Sequence, residues 1–329
     1  MEFITQDEEV LFKSFLEQHD FFYIIGHKEP DGDALCSCIA LSYIVKNFGK
    51  QYQLLSAGPF KRTEIVEFEK QFSRTAAFLS ESERKKSALI IADCSEFSRL
   101  GEIEGDIKGL DTFVIDHHKT SSCPENAKSI IYPTAPATCF LVQILYERLL
   151  GKIPETCAKI LFFGLCTDTG FFRFLDNSSE EIFSATSRLV KSGANPRETY
   201  DKISSGKSFL TRKLLGTLLS RAEQHLNGKL IVTYETQEDT KRFAQEGRDS
   251  DLLYSSLLAV KNVEAVVFLR QESAYTCTGG FRSKDNVDVS SIAAKFGGGG
   301  HKNAAGMSVE GRLDTLIPAV IKEFARILS

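Results

Sequence analysis

The feature that most constrains the fold of this chain is a series of short apolar runs, each of which ends in a polar loop. Residues 21–25 read FFYII, residues 88–92 read ALIIA and residues 112–115 read TFVI, and a fourth run covers 52–55. Short runs rich in β-branched and aromatic residues are typical of strands buried on both faces of a parallel sheet. Helices are predicted between and after these strands, at 34–48, 65–71, 137–150 and 154–166. The alternation of strand, loop and helix predicts an α/β fold with a parallel sheet.

The second part of the chain predicts a separate α/β unit. A chain of 329 residues is long enough for two domains, because single hydrophobic cores stop growing at about 250–300 residues. Residues 187–216 are rich in Lys, Ser, Gly and Thr, which is typical of a linker. Further strands are predicted at 229–234, 265–270 and 275–281, and further helices at 252–260, 289–296 and 313–328. We therefore expect a first domain over 1–186, a linker over 187–216 and a smaller α/β domain over 217–329.

Composition narrows the classes of partner. A net charge of -4 and a pI near 6.0 argue against binding of long duplex nucleic acid by bulk electrostatics, which needs a basic surface. Short single-stranded RNA and small phosphorylated nucleotides stay open as partners. The chain has no apolar run near the ~18 residues of a membrane span, and its 8 cysteines form no CxxC pair. These features predict a cytoplasmic protein with reduced thiols and no membrane partner.

Acidic and histidine side chains cluster just past the predicted strand and helix ends. Open α/β sheets bind ligands outside the carboxyl ends of their strands, so these side chains should meet in one crevice. The candidate metal ligands are His27, Asp31, Asp33, Asp93, His117 and Asp168. Carboxylates with imidazoles suit Mn²⁺ or Mg²⁺ better than a structural zinc. So many ligands suit two ions about 3.5–4 Å apart that activate a water for attack on phosphorus.

Within this set, Asp93 stands alone at a central strand end and is the natural bridging carboxylate. Asp31 and Asp33 are expected to lie in an irregular loop in which Gly32 relieves the backbone. Each residue alone also has an ordinary explanation, because an Asp-Gly-Asp turn is commonly solvated and a lone aspartate commonly caps a helix. The coincidence of several clusters in one domain favours the metal site. His19 and His225 have no such neighbours and are interpreted as surface residues.

The ordered motifs resemble those of the DHH phosphoesterases. The motifs are Gly26-His27 with Asp31-Gly32-Asp33-Ala34, then Asp93, then Asp116-His117-His118, then Asp168. The glycine-rich segment 297–306 resembles the motif of the DHH-associated domain. The resemblance covers nearly the whole chain, and the length and domain pair are similar to the nano-RNases that also dephosphorylate 3'-phosphoadenosine 5'-phosphate.

The resemblance implies a role for each motif residue. One Mn²⁺ would be held by His27, Asp31 and Asp93, and the second by Asp33, Asp93, His117 and Asp168; Mg²⁺ or Co²⁺ are alternatives to Mn²⁺. His118 would face the scissile phosphate with Asp116 supporting it. Arg282 and His301 would bind the distal phosphate or terminal nucleotide, and the active-site cleft would lie between the two domains.

The glycines at 297–300 also have a physical interpretation of their own. A run of glycine is costly to order, but it lets backbone N–H groups approach an anion closely. A flexible surface loop is the alternative. The nearby Arg282 and His301 favour substrate binding at Gly298, Gly299 and Gly300, since arginine pairs well with phosphate.

The expected function is Mn²⁺-dependent hydrolysis of short oligoribonucleotides to mononucleotides, of 3'-phosphoadenosine 5'-phosphate to AMP, or of both. A cyclic-dinucleotide or linear dinucleotide phosphodiesterase would use the same ligands. A processive exonuclease would need more nucleic-acid-binding domains than this length allows. A non-catalytic nucleotide- or RNA-binding protein is the alternative of another class. Monomer and homodimer are both left open.

Overall fold

The computed structural model describes residues 3–118, 123–175, 179–244, 247–284 and 286–328. The chain divides into two units, Met1–Gly206 and Lys207–Ser329. Their boundary falls inside 187–216, the stretch predicted as a linker, and most of this stretch is helical.

A parallel sheet of five strands forms the centre of the first unit. The strands are β1 (Phe21–Ile25), β2 (Gln51–Leu55), β3 (Ser87–Ala92), β4 (Asp111–Asp116) and β5 (Lys128–Ile131). Their order is β2-β1-β3-β4-β5, and every pairing is parallel. All residues of the central strand β3 are buried, as expected for an apolar run covered on both faces. The predicted parallel sheet is therefore confirmed, with β5 as an edge strand that the sequence pattern had not indicated.

The helices of the first unit cover the sheet. They are α1 (Gln6–Gln18), α2 (Gly32–Asn47), α3 (Glu81–Arg84), α4 (Phe97–Leu100), α5 (Thr138–Leu150), α6 (Glu155–Asp168), α7 (Glu180–Lys191) and α8 (Pro196–Ser204). The helical stretch predicted at 65–71 is present as a 3-10 helix over Thr63–Gln71. Helix α2 is buried along most of its length and packs against α5 and α6.

Two glycines allow α2, α5 and α6 to approach closely. A Cβ on Gly164 of α6 would lie 2.3 Å from Cys139 Sγ and 2.9 Å from Cys36 Cβ. A Cβ on Gly32 would lie 2.4 Å from Thr167 Oγ1. Side chains at these two positions would push the helices apart, so the glycines bring the start of α2 against the end of α6.

The start of α2 corrects one expectation. Asp31 is the N-cap residue, and its side chain accepts a hydrogen bond from the backbone N–H of Ala34, while Gly32 and Asp33 are already helical. The irregular loop expected around these carboxylates is therefore wrong. A helix start holds the two side chains more rigidly, and Gly32 serves helix packing rather than a turn.

The second unit contains a mixed sheet between two helical layers. Its strands are β6 (Glu223–His225), β7 (Leu230–Glu235), β8 (Ala265–Gln271), β9 (Thr276–Ser283), β10 (Gly299–His301) and β11 (Ala304–Glu310), in the order β10-β11-β9-β8-β7-β6. Only β7 and β8 pair in parallel among the described pairings. Its helices are α9 (Phe209–Ser220), α10 (Gln237–Phe243), α11 (Ser250–Leu258), α12 (Val289–Lys295) and α13 (Leu313–Leu328). One core includes residues of α12 and α13, and the other includes residues of α9 and α11.

One further expectation is wrong, and one alternative is not supported. The flexible surface loop, which was the alternative at 297–300, does not describe Gly299–His301, because these residues form strand β10 and pair with β11. Gly298 is needed there, since a Cβ would lie 2.2 Å from the carbonyl oxygen of Gly306. His19 is not a surface residue: it is 8% exposed, and its Nδ1 lies 2.9 Å from the carbonyl oxygen of Phe15.

Among the helices that can be described, none is long and apolar enough to cross a membrane.

Candidate active site

The first unit brings its predicted metal ligands together beyond the carboxyl ends of β1, β3 and β4. Donor atoms of these ligands and of His118 form three overlapping groups, each with all atoms within 4.8 Å of one another. The groups are His27 with Asp31 and Asp93, Asp33 with His117 and Asp168, and Asp93 with His117 and His118. All the predicted metal ligands thus lie in one cluster, supplied by three strand ends, the start of α2 and the end of α6.

Asp93 lies at the centre of the cluster. Its Oδ2 is 3.5 Å from His27 Nε2, and its Oδ1 is 3.4 Å from His117 Nε2. The residue is 2% exposed and has a left-handed backbone, with φ of 62°. Because each carboxylate oxygen faces a different imidazole, Asp93 has the geometry that a bridging ligand requires.

Backbone carbonyl groups orient the two imidazoles. The Nδ1 of His27 donates to the carbonyl oxygen of Lys28 over 2.8 Å, and the Nδ1 of His117 donates to that of Ala135 over 3.1 Å. A carbonyl oxygen can only accept, so the proton is on Nδ1 and Nε2 is directed at the carboxylates. This is the arrangement typical of histidines that bind metal through Nε2.

The first turn of α5 binds the two buried carboxylates. The backbone N–H groups of Thr138 and Cys139 donate to Asp33 over 2.6 and 2.8 Å, and the Thr138 hydroxyl donates to Asp93 Oδ1 over 2.9 Å. Free N–H groups at a helix N-terminus stabilise negative charge. Thr138 and Ala135 were not among the predicted site residues. The helix start predicted at 137 was the sequence feature that pointed to Thr138.

The electrostatics of the cluster favour bound positive charge. Burial, reinforced by the charges of Asp93 and Asp168, raises the pKa of Asp33, and burial raises the pKa of Asp168 to about 6. Burial disfavours the imidazolium form of His27 and His117, but the neighbouring carboxylates outweigh it and raise both pKa values to about 10. Without a cation, therefore, the cluster balances its carboxylates with protons.

The donor set fits divalent cations. It offers carboxylate oxygens and imidazole nitrogens, and none of its members is a thiolate. Such donors suit ions of the Mn²⁺ or Mg²⁺ type, and their number and the shared Asp93 suit a pair. A pair of cations would take the place of the protons that the imidazoles otherwise hold.

Asp116 and His118 form a hydrogen-bonded pair beside the cluster. Asp116 is fully buried, and its Oδ1 accepts from the backbone N–H groups of His117 and His118 and from His118 Nδ1, over 2.8, 3.1 and 2.8 Å. Its Oδ2 has no hydrogen-bond partner within the described residues. Because Nδ1 of His118 is committed to Asp116, that atom is not a metal ligand, and Nε2 is the free nitrogen of a side chain that is 34% exposed.

The predicted substrate-binding residues lie in the second unit, on adjacent strands. Arg282 of β9 pairs with Ala304 of β11, and Ala304 pairs with His301 of β10. Directly paired residues of antiparallel strands point to the same face, so Arg282 and His301 share one face of the sheet.

Comparison with known proteins agrees with this two-part organisation. Residues 21–165 match the model of the DHH family, N-terminal domain, and residues 228–329 match that of the DHHA1 domain. Over 92% of this chain and 90% of the relative, the sequence is 29% identical to the bifunctional oligoribonuclease and PAP phosphatase NrnA of Thermus thermophilus. Over 89% of this chain and 45% of the relative, it is 26% identical to the cyclic-di-AMP phosphodiesterase PdeA of Listeria monocytogenes.

The fold itself has a solved counterpart. The crystal structure of an exopolyphosphatase-related protein from Bacteroides fragilis matches with a TM-score of 0.83 at 22% identity. The match covers 100% of this chain and 99% of that chain. At this level of identity the likeness shows a shared fold.

Proposed function

This chain belongs to the DHH family and is a metal-dependent phosphoesterase with a DHHA1 domain, and from that premise we propose that it is a Mn²⁺-dependent hydrolase of short oligoribonucleotides and of 3'-phosphoadenosine 5'-phosphate. The products would be mononucleotides and AMP, respectively. The observation that carries the proposal is the convergence of all the predicted ligands in one cluster, in which Asp93 belongs to two of the three donor groups.

Two cations are assigned to the cluster through its donor atoms. One would be held by His27, Asp31 and Asp93, and the other by Asp33, Asp93, His117 and Asp168. When bound, such a pair neutralises phosphate charge and makes hydroxide available near neutral pH. The carbonyl groups that accept from Nδ1 of both histidines support this assignment, because they leave Nε2 as the ring nitrogen that faces the carboxylates.

His118 is the group that we assign to proton handling at the phosphate. Its Nδ1 proton is held by Asp116, so Nε2 is the atom that can donate to a phosphoryl or leaving oxygen. Asp116 fixes the orientation of the ring and keeps the proton on Nδ1, as a buried carboxylate does for a catalytic histidine. Asp116→Asn should therefore lower kcat through His118 without removing a metal ligand.

The substrate class rests on the second unit and on the relatives. We assign Arg282, His301 and the glycines Gly298, Gly299 and Gly300 to binding of the terminal nucleotide. A site that grips a substrate end suits short substrates, and the net charge of -4 gives no basic surface for a long duplex. The Thermus relative aligns along nearly its full length and carries both activities in its name.

Cyclic dinucleotides form the second candidate substrate class. The support is the likeness to the Listeria cyclic-di-AMP phosphodiesterase, of which this chain spans 45%. The proposed metal ligands are compatible with both substrate classes, since cleavage of a phosphodiester and removal of the 3'-phosphate of 3'-phosphoadenosine 5'-phosphate both proceed by attack of water on phosphorus.

The test compares three substrates side by side in the presence of Mn²⁺: a 5'-phosphorylated diribonucleotide, 3'-phosphoadenosine 5'-phosphate and a cyclic dinucleotide. We expect turnover of the first two and none by Asp93→Asn. If only the cyclic substrate is cleaved, the proposed metal site stands and the proposed substrate is wrong. If nucleotides bind but no substrate is hydrolysed, the protein is a nucleotide-binding protein and the proposed enzymatic function is wrong.

A further inference from the structure

A pocket of about 430 Å³ lies on the sheet of the second unit, beside helix α11. Gly280, Ala304 and Gly306 line it from adjacent strands, with Gly280 paired to Gly306 across β9 and β11. These small residues give the pocket a flat floor. Tyr254 of α11 and Arg282 of β9 also line it, next to that floor.

Arg282 is held in this pocket without a carboxylate. Its guanidinium carbon lies 4.8 Å from the centroid of the Tyr254 ring, and its Nη1 donates to the carbonyl oxygen of Phe281 over 3.0 Å. The other arginine of the pocket, Arg270, is paired with Glu272 over 2.6 Å. Among the described residues, then, Arg282 is the pocket arginine whose charge has no anionic partner.

The type of contact matters for what Arg282 can bind. A carboxylate would occupy the in-plane N–H donors of the guanidinium, which are the donors that match a phosphate. An aromatic ring instead attracts the flat face of the cation and leaves the in-plane donors free. Tyr254 can therefore fix the position of Arg282 without using its anion-binding edge.

Tyr254 is itself held firmly. It is 6% exposed and packs edge-on against Phe268, with ring centroids 6.3 Å apart. Its hydroxyl lies directly against Gly280, where an added Cβ would be 2.1 Å from Oη. Burial raises the pKa of the phenol to about 12, so the ring is neutral at physiological pH. Gly280 thus makes the room that the Tyr254 side chain needs.

We propose that Tyr254 is a positioning residue for substrate binding: it holds the Arg282 guanidinium beside the glycine floor so that its free edge receives a phosphate of the terminal nucleotide. This inference rests on the proposed function and adds the residues that set the geometry of its phosphate contact. Gly280 contributes to this arrangement, because the absence of a Cβ leaves room for the Tyr254 hydroxyl.

The first experiment measures steady-state kinetics of the full-length protein. Tyr254→Leu keeps an apolar side chain but removes the ring, and we expect KM for a 5'-phosphorylated diribonucleotide to rise roughly fivefold to thirtyfold. The kcat value should change less than about twofold, because the effect is on binding. Tyr254→Phe keeps the ring and should match the wild type. A diribonucleotide without the 5'-phosphate should show no KM difference between the variants.

A second pair of variants guards against a simple folding defect. Gly280→Ala places a methyl group against the hydroxyl and should raise KM. In Tyr254→Phe/Gly280→Ala the hydroxyl is absent, and the next ring atom, Cζ, is 3.3 Å from the new Cβ. KM should therefore return toward the wild-type value. A double variant as impaired as Gly280→Ala, or a Tyr254→Leu protein with wild-type KM, would overturn the inference.

Calorimetric titration with AMP separates this inference from the proposed function, since it requires no turnover. We expect the wild type and Tyr254→Phe to bind AMP alike and Tyr254→Leu to bind it more weakly. If no substrate is hydrolysed, the proposed function fails while the order of AMP affinities still tests Tyr254. If hydrolysis proceeds and all three proteins bind AMP equally, the positioning role is refuted.

Discussion

Removing the Thr138 hydroxyl should weaken metal binding without touching a metal ligand. This hydroxyl donates to Asp93 Oδ1 over 2.9 Å in a buried environment, while the backbone N–H of the same residue donates to Asp33. Thr138→Val keeps the shape and the backbone bond and removes only the hydroxyl donor. The variant therefore isolates one hydrogen bond to the central carboxylate.

The magnitude follows from the charge of the acceptor. A hydrogen bond to an ionised group contributes about 1.5–3 kcal/mol, which corresponds to roughly tenfold to 150-fold in an equilibrium constant. Loss of a partner that orients a ligating residue costs about 10- to 100-fold in metal affinity. The bond is also formed without metal, so the first value is an upper limit and the second sets the expectation: Thr138→Val should raise the Kd for Mn²⁺ by about 10- to 100-fold.

Isothermal titration with Mn²⁺ near neutral pH measures this effect, and two controls frame it. Thr138→Ser keeps the hydroxyl and should bind Mn²⁺ like the wild type. Thr186→Val removes a buried hydroxyl that donates to the carbonyl oxygen of Ile182 within α7, and it should leave Mn²⁺ affinity unchanged. An unchanged Kd in Thr138→Val, or an equal loss in Thr138→Ser, would refute the reasoning.

Three further predictions concern stability. Gly164→Ala should destabilise the protein by about 1–3 kcal/mol through overpacking against Cys139 and Cys36. Gly216→Ala should instead stabilise it by about 0.5–1 kcal/mol, because Gly216 lies within α9 and nothing lies within 4 Å of the new Cβ. Similar shifts of the urea unfolding midpoint for both variants would contradict this. Mn²⁺ at about 100 times its Kd should raise the free energy of unfolding of the wild type by about 2.7 kcal/mol and that of Asp93→Asn by far less. Thermal melts with Mn²⁺ or with EDTA measure this stabilisation, and an equal increase in both proteins would contradict the role of Asp93. Burial would raise the pKa of Asp239, but hydrogen bonds from Arg221 and Thr236 outweigh it and lower that pKa. The contribution of Asp239 to the free energy of unfolding is therefore present above the unfolded pKa of about 3.9. It is lost as the pH falls through the folded value. Urea titrations at falling pH should then show a steeper loss for the wild type than for Asp239→Asn, and parallel curves would count against the Asp239 contribution.

The cluster of acidic and histidine side chains was predictable because its signal is local. Each ligand follows an apolar run or ends a helical stretch, so strand ends and polar residues could be aligned along the chain without knowledge of distant contacts. His27, Asp93 and His117 all follow strands that the structure contains. Parallel strands place their carboxyl ends on one edge, and this geometry carries the inference from positions in sequence to one site.

The features that sequence reasoning missed depend on distant partners. Thr138 donates to a residue 45 positions away, so the predicted helix start at 137 does not by itself show which carboxylate it binds. Strand β5 contains only two apolar residues, Ile130 and Ile131, and is defined by its pairing with β4. The segment Gly299–His301 became a strand because β11 supplies its hydrogen bonds, against a weak intrinsic preference of glycine for strands.

Two requirements restrict the residue at position 93: its left-handed backbone conformation and the need for a carboxylate. Most side chains pay about 1–2 kcal/mol to adopt this conformation, while glycine, asparagine and aspartate tolerate it. An alanine there would combine backbone strain with the loss of the carboxylate, but an asparagine would lose only the charge. In a saturation scan of position 93, the yield of folded protein should be similar for glycine, asparagine and the native aspartate. Metal-dependent activity should be retained by aspartate alone. The two measurements therefore separate the backbone requirement of this position from its chemical requirement.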